Sequence, residues 1–305
     1  MDIFTATLTI AGLCLFETVS SIDNAIINAE VLSTMRPKYR RWFLVWGILI
    51  AVFGVRGLLP WLIVWLVTPG IGLFEALTAT FSSDPRVIEA IDRSSPLLLM
   101  GGGMFLVLLF FHWVFMEEKH YGLPGERFLH RQGVWFYAVA SALLTVVVWY
   151  AMRKDPMLAF GAVVGSTTFF ITHGFKQNAE QSERELMHSH RSDIAKILYL
   201  EVIDATFSID GVLGAFAFTM SVPLILLGNG LGAFVVRELT VRNVETIKKY
   251  LYLKNGAMYS VLVLGAIMML DGFGAHIPHW FSPLVTFVVV AYFFGKSKAA
   301  IKRAR

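Results

Sequence analysis

Two acidic motifs, about 190 residues apart, contain the side chains of this chain that are best suited to chemistry. The first reads Glu17-Thr-Val-Ser-Ser-Ile-Asp-Asn24 and the second Asp204-Ala-Thr-Phe-Ser-Ile-Asp-Gly211. Glu201 adds a further carboxylate one helical turn before the second motif. Each motif lies within an apolar stretch long enough to cross a bilayer, where an unpaired carboxylate is costly. Acids at two matching positions therefore predict movement of an ion or a small solute across a membrane.

The two motifs and Glu201 contribute five membrane-embedded carboxylates, which together with two arginines have a net charge of −3 if all are ionised. The expected cation ligands are Glu17, Asp23, Asn24, Glu201, Asp204 and Asp210, and the expected gating or counter-ion residues are Arg56, Arg237, Ser21 and Ser208. Oxygen ligands suit Mg²⁺, Ca²⁺ and Mn²⁺. The single cysteine, Cys14, excludes an internal disulfide and a multi-thiolate site. In the alternative reading, the arginines only neutralise acids within a structural network.

The composition places the chain in a lipid bilayer. Of its 305 residues, 56% are hydrophobic and 16% are charged, and the mean hydropathy is +0.64. A soluble protein has about 25% charged residues. The composition therefore indicates a polytopic helical membrane protein and not an enzyme. The net charge of +4 does not indicate a nucleic-acid partner, because the basic residues lie in short loops. We expect no bound cofactor.

Nine apolar segments are predicted to span the membrane, and seven is the alternative number. They are residues 4–32, 42–67, 96–116, 134–152, 157–175, 197–220, 222–241, 255–270 and 281–295. With nine spans, 20 of the 26 lysines and arginines fall on one side, among them Lys176 in the loop 176–196, and four fall on the other. Because cationic loops stay in the cytoplasm, the N-terminus is expected outside and the C-terminus inside. We expect a bacterial inner membrane.

The repeat extends beyond the acidic motifs. A pattern Gly-x3-small-x-Phe-x-Val-Arg begins at Gly47 and again at Gly228, and it ends at Arg56 and Arg237. Spans 1–3 thus match spans 6–8. An offset of five spans gives the halves opposite orientations, and transporters with such inverted repeats bind their substrate near the midplane between the repeats. The predicted single all-α domain, 1–305, divides into repeat one (1–116), connecting spans and inner loop (117–196), repeat two (197–270), and last span with basic tail (271–305).

The motifs are poor helix formers. Ser, Asp and Asn compete for backbone hydrogen bonds, and Gly is flexible. We therefore predict local helix breaks near residues 21–24 and 208–211, which would offer backbone carbonyls as ligands. The intramembrane histidines His112 and His173 are interpreted as packing residues rather than as ligands.

The two motifs resemble those of the TerC-like integral membrane proteins of the LysE transporter superfamily, in an uncharacterised branch. Glu17-x5-Asp23-Asn24, Glu201-x2-Asp204-x5-Asp210 and the two arginines carry the resemblance, which covers spans 1–3 and 6–8. The second motif of that family usually continues Asp-Ser-Ile-Pro, whereas this chain continues Asp-Gly-Val-Leu. The resemblance implies export of a divalent metal, Mn²⁺ in particular.

The expected function is therefore Mn²⁺ export by proton-coupled alternating access. An exporter of a basic amino acid or another small organic cation is the alternative, because that superfamily includes such exporters. An ATP-driven pump is not expected, since Gly295-Lys296-Ser297 lacks the upstream glycine of a phosphate loop. The Gly-x-Gly-Asp signature of an intramembrane protease is also absent. The expected partners are the lipid bilayer, the metal ion and protons, and the oligomeric state stays open.

Overall fold

The computed structural model describes residues 2–47, 50–79, 82, 84–187 and 192–303. Within its helices, several side chains fall outside the description, namely those of residues 23, 24, 27, 44, 45, 51–53, 55, 179–187, 203, 206, 207 and 239–246. Helices account for 84% of the structure, and the described ranges contain no strand. The predicted all-α class is confirmed.

The described residues of the first third of the chain form six α-helices and two π-helical segments. They are α1 (Ile3–Ser20), α2 (Ile22–Ser33), α3 (Pro37–Trp42), the π-helical Phe43–Gly47 and Ile50–Gly57, α4 (Leu58–Val67), α5 (Leu73–Thr78) and α6 (Pro85–Met116). Such π-helical turns are frequent at functional sites. Arg56 lies in the second of them.

In the described part of the remaining chain there are seven α-helices and one short 3₁₀ turn. They are α7 (Glu126–Arg131), the 3₁₀ turn Gly133–Trp135, α8 (Phe136–Lys154), α9 (Pro156–Met187), α10 (Asp193–Ala215), α11 (Val222–Ile247), α12 (Leu253–Gly272) and α13 (Phe281–Arg303).

Local sequence signals explain where several helices begin. Asp84 and Ser192 are N-caps, and their side chains accept hydrogen bonds from the backbone amides of Arg86 (2.9 Å) and Ala195 (3.3 Å). Pro85 occupies the first position of α6, where a backbone N–H would have no acceptor within the helix, so its absence in proline costs no hydrogen bond. As a result α6 begins eleven residues before the predicted span 96–116.

The two predicted helix breaks have different outcomes. Ser21 separates α1 from α2, so the break in the first motif is confirmed. The break near residues 208–211 is wrong, because α10 runs without interruption from Asp193 to Ala215. The Ser208 hydroxyl donates to the carbonyl of Asp204 at 2.6 Å, within the same helix. This bond satisfies the polar side chain without opening the backbone.

Among the residues that the structure describes, six helices are long and apolar enough to cross a bilayer. They are Ile3–Ser20, Pro85–Met116, Gly133–Lys154, Pro156–Asn178, Leu253–Gly272 and Phe281–Arg303. In α6, 78% of the apolar window is buried, against 22% in α8 and α13. Helix α6 is thus central, whereas α8 and α13 lie at the periphery. This is the architecture of a polytopic membrane protein.

The packing brings helices from the two halves of the chain together. Helix α6 packs against α12 and α9, α1 packs against α11, and the π-helical segment Ile50–Gly57 packs against α11 and α10. At the crossing of α6 and α12, a Cβ on Gly103 would lie 2.8 Å from the carbonyl oxygen of Gly265. The two backbones therefore approach too closely for any larger residue there.

Candidate functional site

Glu17 is the most tightly enclosed of the motif acids whose side chains the structure describes, with 1% of the residue exposed. Arg56 Nε and Nη2 each lie 2.7 Å from Glu17 Oε1, and the Ser21 hydroxyl donates to the same oxygen at 2.6 Å. A Cβ added to Gly211 would lie 2.6 Å from Glu17 Oε2. The carboxylate is thus held by one charge, one hydroxyl and the close backbone of α10.

Arg56 joins the two acidic motifs. Its Nη1 lies 3.5 Å from Asp204 Oδ2, and its side chain is 4% exposed, against 16% for Asp204. One buried guanidinium therefore faces a carboxylate from each half of the chain. The three groups together carry a net charge of −1 if all are ionised. Sequence spacing placed Arg56 in a span, and only the fold places it between the motifs.

Asp210 pairs with Lys176, a residue that the sequence analysis assigned to an inner loop. The predicted fifth span ends at residue 175, whereas α9 continues to Met187 and holds Lys176 within its length. Asp210 Oδ1 is buried and has no hydrogen-bond partner among the described residues. Lys176 follows His173 by three residues on α9, and this helical spacing is the signal that could have placed it with the intramembrane polar groups.

Glu201 and Arg237 meet the first half of the chain at Gly47. A Cβ on Gly47 would lie 2.2 Å from Glu201 Oε1 and 2.9 Å from Arg237 Nη2. The Arg237 guanidinium also lies over the ring of Phe43, 4.3 Å from its centroid. Glu201 Oε1 is buried without a hydrogen-bond partner in the part of the chain that the structure describes. Gly47 is therefore needed to admit both charged groups.

The predicted site residues that the structure describes thus form three sets of direct contacts. Glu17, Ser21, Arg56 and Asp204 lie together, Asp210 lies with Lys176, and Glu201 and Arg237 lie at Gly47. The side chains of Asp23 and Asn24 lie outside the description, and Ser208 bonds to its own helix. Among the described residues, no group of three or more His, Cys, Asp or Glu side chains is arranged to hold a metal ion. In this conformation Arg56 and Lys176 form ion pairs with acids of the motifs.

A second polar cluster, which sequence reasoning missed, lies where α6 ends. The rings of His112 and His173 are 3.9 Å apart between centroids, and both pack near Phe169. Glu117 Oε1 lies 3.6 Å from His112 Nδ1, and its Oε2 lies 2.8 Å from Lys254 Nζ. Burial opposes the charge of Glu117, but the contacts with His112 and Lys254 hold the pKa of this carboxyl well below its ordinary value. The packing role predicted for the two histidines is compatible with these contacts.

Glu126 is a further acid that lies between the predicted spans 96–116 and 134–152. Only 2% of it is exposed, and it accepts hydrogen bonds from the backbone amides of Gly122 (2.7 Å) and Leu123 (2.9 Å). The Tyr259 hydroxyl (3.0 Å) and the Asn255 amide (3.2 Å) donate to it from α12. Glu126 therefore links the turn after α6 to α12 through hydrogen bonds. A single acid in a polar loop gives no sequence signal for such a role.

The fold and these buried charges define the class of the protein: a polytopic helical membrane protein with ionisable side chains between its helices. The chain belongs to the family described as "Protein of unknown function (DUF475)", whose model matches residues 22–304. The matched region begins five residues after Glu17 and includes the whole of the second motif. No curated protein and no solved structure matches the chain.

Proposed function

We propose that this protein is a transporter that exports a divalent metal cation, most readily Mn²⁺, from a bacterial cell across the inner membrane. The observation that carries the proposal is the placement of Arg56 between Glu17 of the first motif and Asp204 of the second. Intramembrane ionisable groups commonly mark ion or proton pathways. Here two of them, from distant parts of the chain, meet at one buried point.

The helix contacts support the inverted repeat on which the proposal depends. In the proposed repeat, α1 corresponds to α10, and the segment Ile50–Gly57 corresponds to α11. The contact of α1 with α11 therefore has a counterpart in the contact of α10 with Ile50–Gly57, and both contacts are present. The contact between α6 and α12 is converted into itself. This reciprocity is expected of two halves related by a pseudo-two-fold axis. Nine spans, with the N-terminus outside and the C-terminus in the cytoplasm, belong to the same proposal.

The basic side chains can neutralise the buried acids when no metal ion is bound. A carboxylate with no counter-charge is costly in the bilayer. In the described conformation Arg56 neutralises Glu17, and Lys176 neutralises Asp210. An entering metal cation would compete with Arg56 and Lys176 for the carboxylate oxygens of Glu17 and Asp210. Glu201 and the other acid of the first motif would supply further ligands. Release of the metal would restore the internal ion pairs.

Energy for export must come from a second ion. Moving two positive charges out of a cell costs about 4.6 kcal/mol against an inside-negative potential of 100 mV, at ~2.3 kcal/mol per charge. The chain has no phosphate-loop sequence, and carboxylates bind protons as well as metal ions. Exchange of one dication for two protons would be electroneutral, and protonation of the acids on the outer side would release the metal.

Export of a basic amino acid is the second candidate, and one observation favours it. A metal site gathers carboxylates around one point, whereas an amino acid needs separate anionic and cationic poles. Arg56 and Lys176 supply cationic poles beside the acids. An amino acid also needs room for its side chain, and the cavity of 1210 Å³ between α4, α6 and α9 is lined by none of the five acids of the motifs. The small cation is therefore the better fit.

Transport by purified protein in proteoliposomes tests the proposal. Metal entry and lumenal pH are recorded together with fluorescent reporters, with and without an imposed pH gradient. We expect Glu17→Gln and Asp210→Asn each to abolish Mn²⁺ movement and the coupled pH change, because an uncharged isostere cannot alternate between metal and proton. The exposed acid Glu118 provides the control Glu118→Gln.

Two results would contradict the proposal. The first is Mn²⁺ movement that ignores the pH gradient and persists in both variants. The second is uptake of lysine that depends on Glu17 while Mn²⁺ is not moved, which would favour the organic cation instead.

A further inference from the structure

A crevice between α4, α6 and α9 lies apart from the acidic motifs. It encloses about 1210 Å³ and is lined mainly by apolar side chains, with exposed Leu66 and Phe160 among them. Its charged lining residues belong to the end where α6 and α9 begin, namely Arg86, Glu89, Arg93 and Asp155. The crevice thus has an apolar interior and one charged end, and this arrangement is complementary to a lipid with an acyl chain and a polar headgroup.

The length of the crevice corresponds to one leaflet of a bilayer. On α6 the part of the lining below the charged mouth, from Arg93 to Phe105, is twelve residues or about 18 Å of helix long. On α9 the lining from Met157 to Thr168 is about 17 Å long. Half of the hydrocarbon core is about 15 Å thick. The mouth would thus lie at the headgroup level and the closed end near the midplane.

Glycines line part of the wall of the crevice. Gly101 of α6 and Gly161 and Gly165 of α9 line it without side chains. A Cβ on Gly165 would lie 2.0 Å from the carbonyl oxygen of Gly101, so α6 and α9 are in backbone contact there. The deep end reaches Leu213 of α10, three residues after Asp210. An acyl chain in the crevice would therefore lie over bare helix backbone and end beside the helix of the second motif.

We propose that this crevice binds one phospholipid whose headgroup carries a primary ammonium, as phosphatidylethanolamine does. The phosphate would face Arg86 and Arg93, the ammonium would face Glu89 and Asp155, and one acyl chain would fill the apolar interior. Asp84 pairs with Arg86 at 2.7 Å, so the charged mouth has two cations and three anions. Its net charge of −1 favours a headgroup with a positive group over a purely anionic one. A primary ammonium, unlike a choline group, can also donate hydrogen bonds to the carboxylates of Glu89 and Asp155. This inference does not depend on the transported substrate.

Native mass spectrometry of the full-length protein tests the lipid site. Delipidated protein is mixed with equal amounts of phosphatidylethanolamine, phosphatidylcholine and phosphatidylglycerol, and the bound lipid is identified. Val164 lines the crevice and is 44% exposed, whereas its neighbour Val163 is 43% exposed and does not line it. We expect one phosphatidylethanolamine bound to the wild type and to Val163→Trp, and at least tenfold less bound to Val164→Trp.

A change at the exposed mouth provides a second test that does not depend on core packing. Glu89→Gln should reduce the preference for phosphatidylethanolamine over phosphatidylglycerol at least threefold, because it removes one partner of the ammonium. Equal lipid binding by the two tryptophan variants would overturn the proposal. So would equal binding of the three lipids by the wild type, which would indicate only non-specific contact with bilayer lipid.

Discussion

Removal of Arg56 gives the sharpest test of the buried ion pair. In Arg56→Met, Glu17 would keep only the Ser21 hydroxyl as a described partner at a position that is 1% exposed. Loss of one partner of a buried ion pair typically costs about 3–5 kcal/mol, because the other charge stays desolvated. The longer contact with Asp204, at 3.5 Å and 16% exposure, adds little to this sum. We therefore expect the free energy of unfolding to fall by about 3–5 kcal/mol.

The assay is equilibrium unfolding in mixed detergent micelles, followed by tryptophan fluorescence, for the single and double variants. Glu17→Gln combined with Arg56→Met removes both charges and should recover at least half of the loss. Arg237→Met is the matched comparison, since Arg237 occupies the equivalent position of the second half, where it lies over the ring of Phe43 and shares the space at Gly47 with Glu201. A cation–π contact is worth about 0.5–2 kcal/mol, so a smaller loss is expected there. Wild-type stability in Arg56→Met, or a double variant no more stable than Arg56→Met, would refute the reasoning.

Three further predictions concern other parts of the molecule. Gly211→Ala should destabilise the protein by about 1–3 kcal/mol in the same unfolding assay, because the new Cβ would lie 2.6 Å from Glu17 Oε2. The control Gly174→Ala should not destabilise the protein in this way, because a Cβ there would have no atom within 4 Å. Glu117 has a folded-state pKa below its ordinary 4.5, so the stability it contributes is present above about pH 4.5 and is lost on acidification below that value. In a pH series of thermal unfolding, Glu117→Gln should be less stable than wild type at pH 7 and should converge with it towards pH 2, and a constant difference would contradict this. A reporter fused to the C-terminus should be active only in the cytoplasm, and activity on the outer side would exclude the proposed orientation.

The sequence alone determined the class of fold and the residues of interest. Long apolar segments leave a chain few ways to satisfy its backbone in lipid other than α-helices, so the all-α membrane architecture follows from composition. The matched motifs identified Glu17, Asp204 and Arg56 from spacing alone, and the weak helix formers of the first motif located the break at Ser21. These are local properties, which depend on neighbours along the chain.

The tertiary structure decided which charges meet. Arg56 could have faced either motif or lipid, and packing of its π-helical segment against α10 and α11 places it between Glu17 and Asp204. The predicted break in α10 did not form because Ser208 found a partner within its own helix. Lys176 became the partner of Asp210 because α9 runs past the predicted end of its span. Pairing of buried charges depends on how helices distant in sequence cross, and no local pattern specifies that geometry.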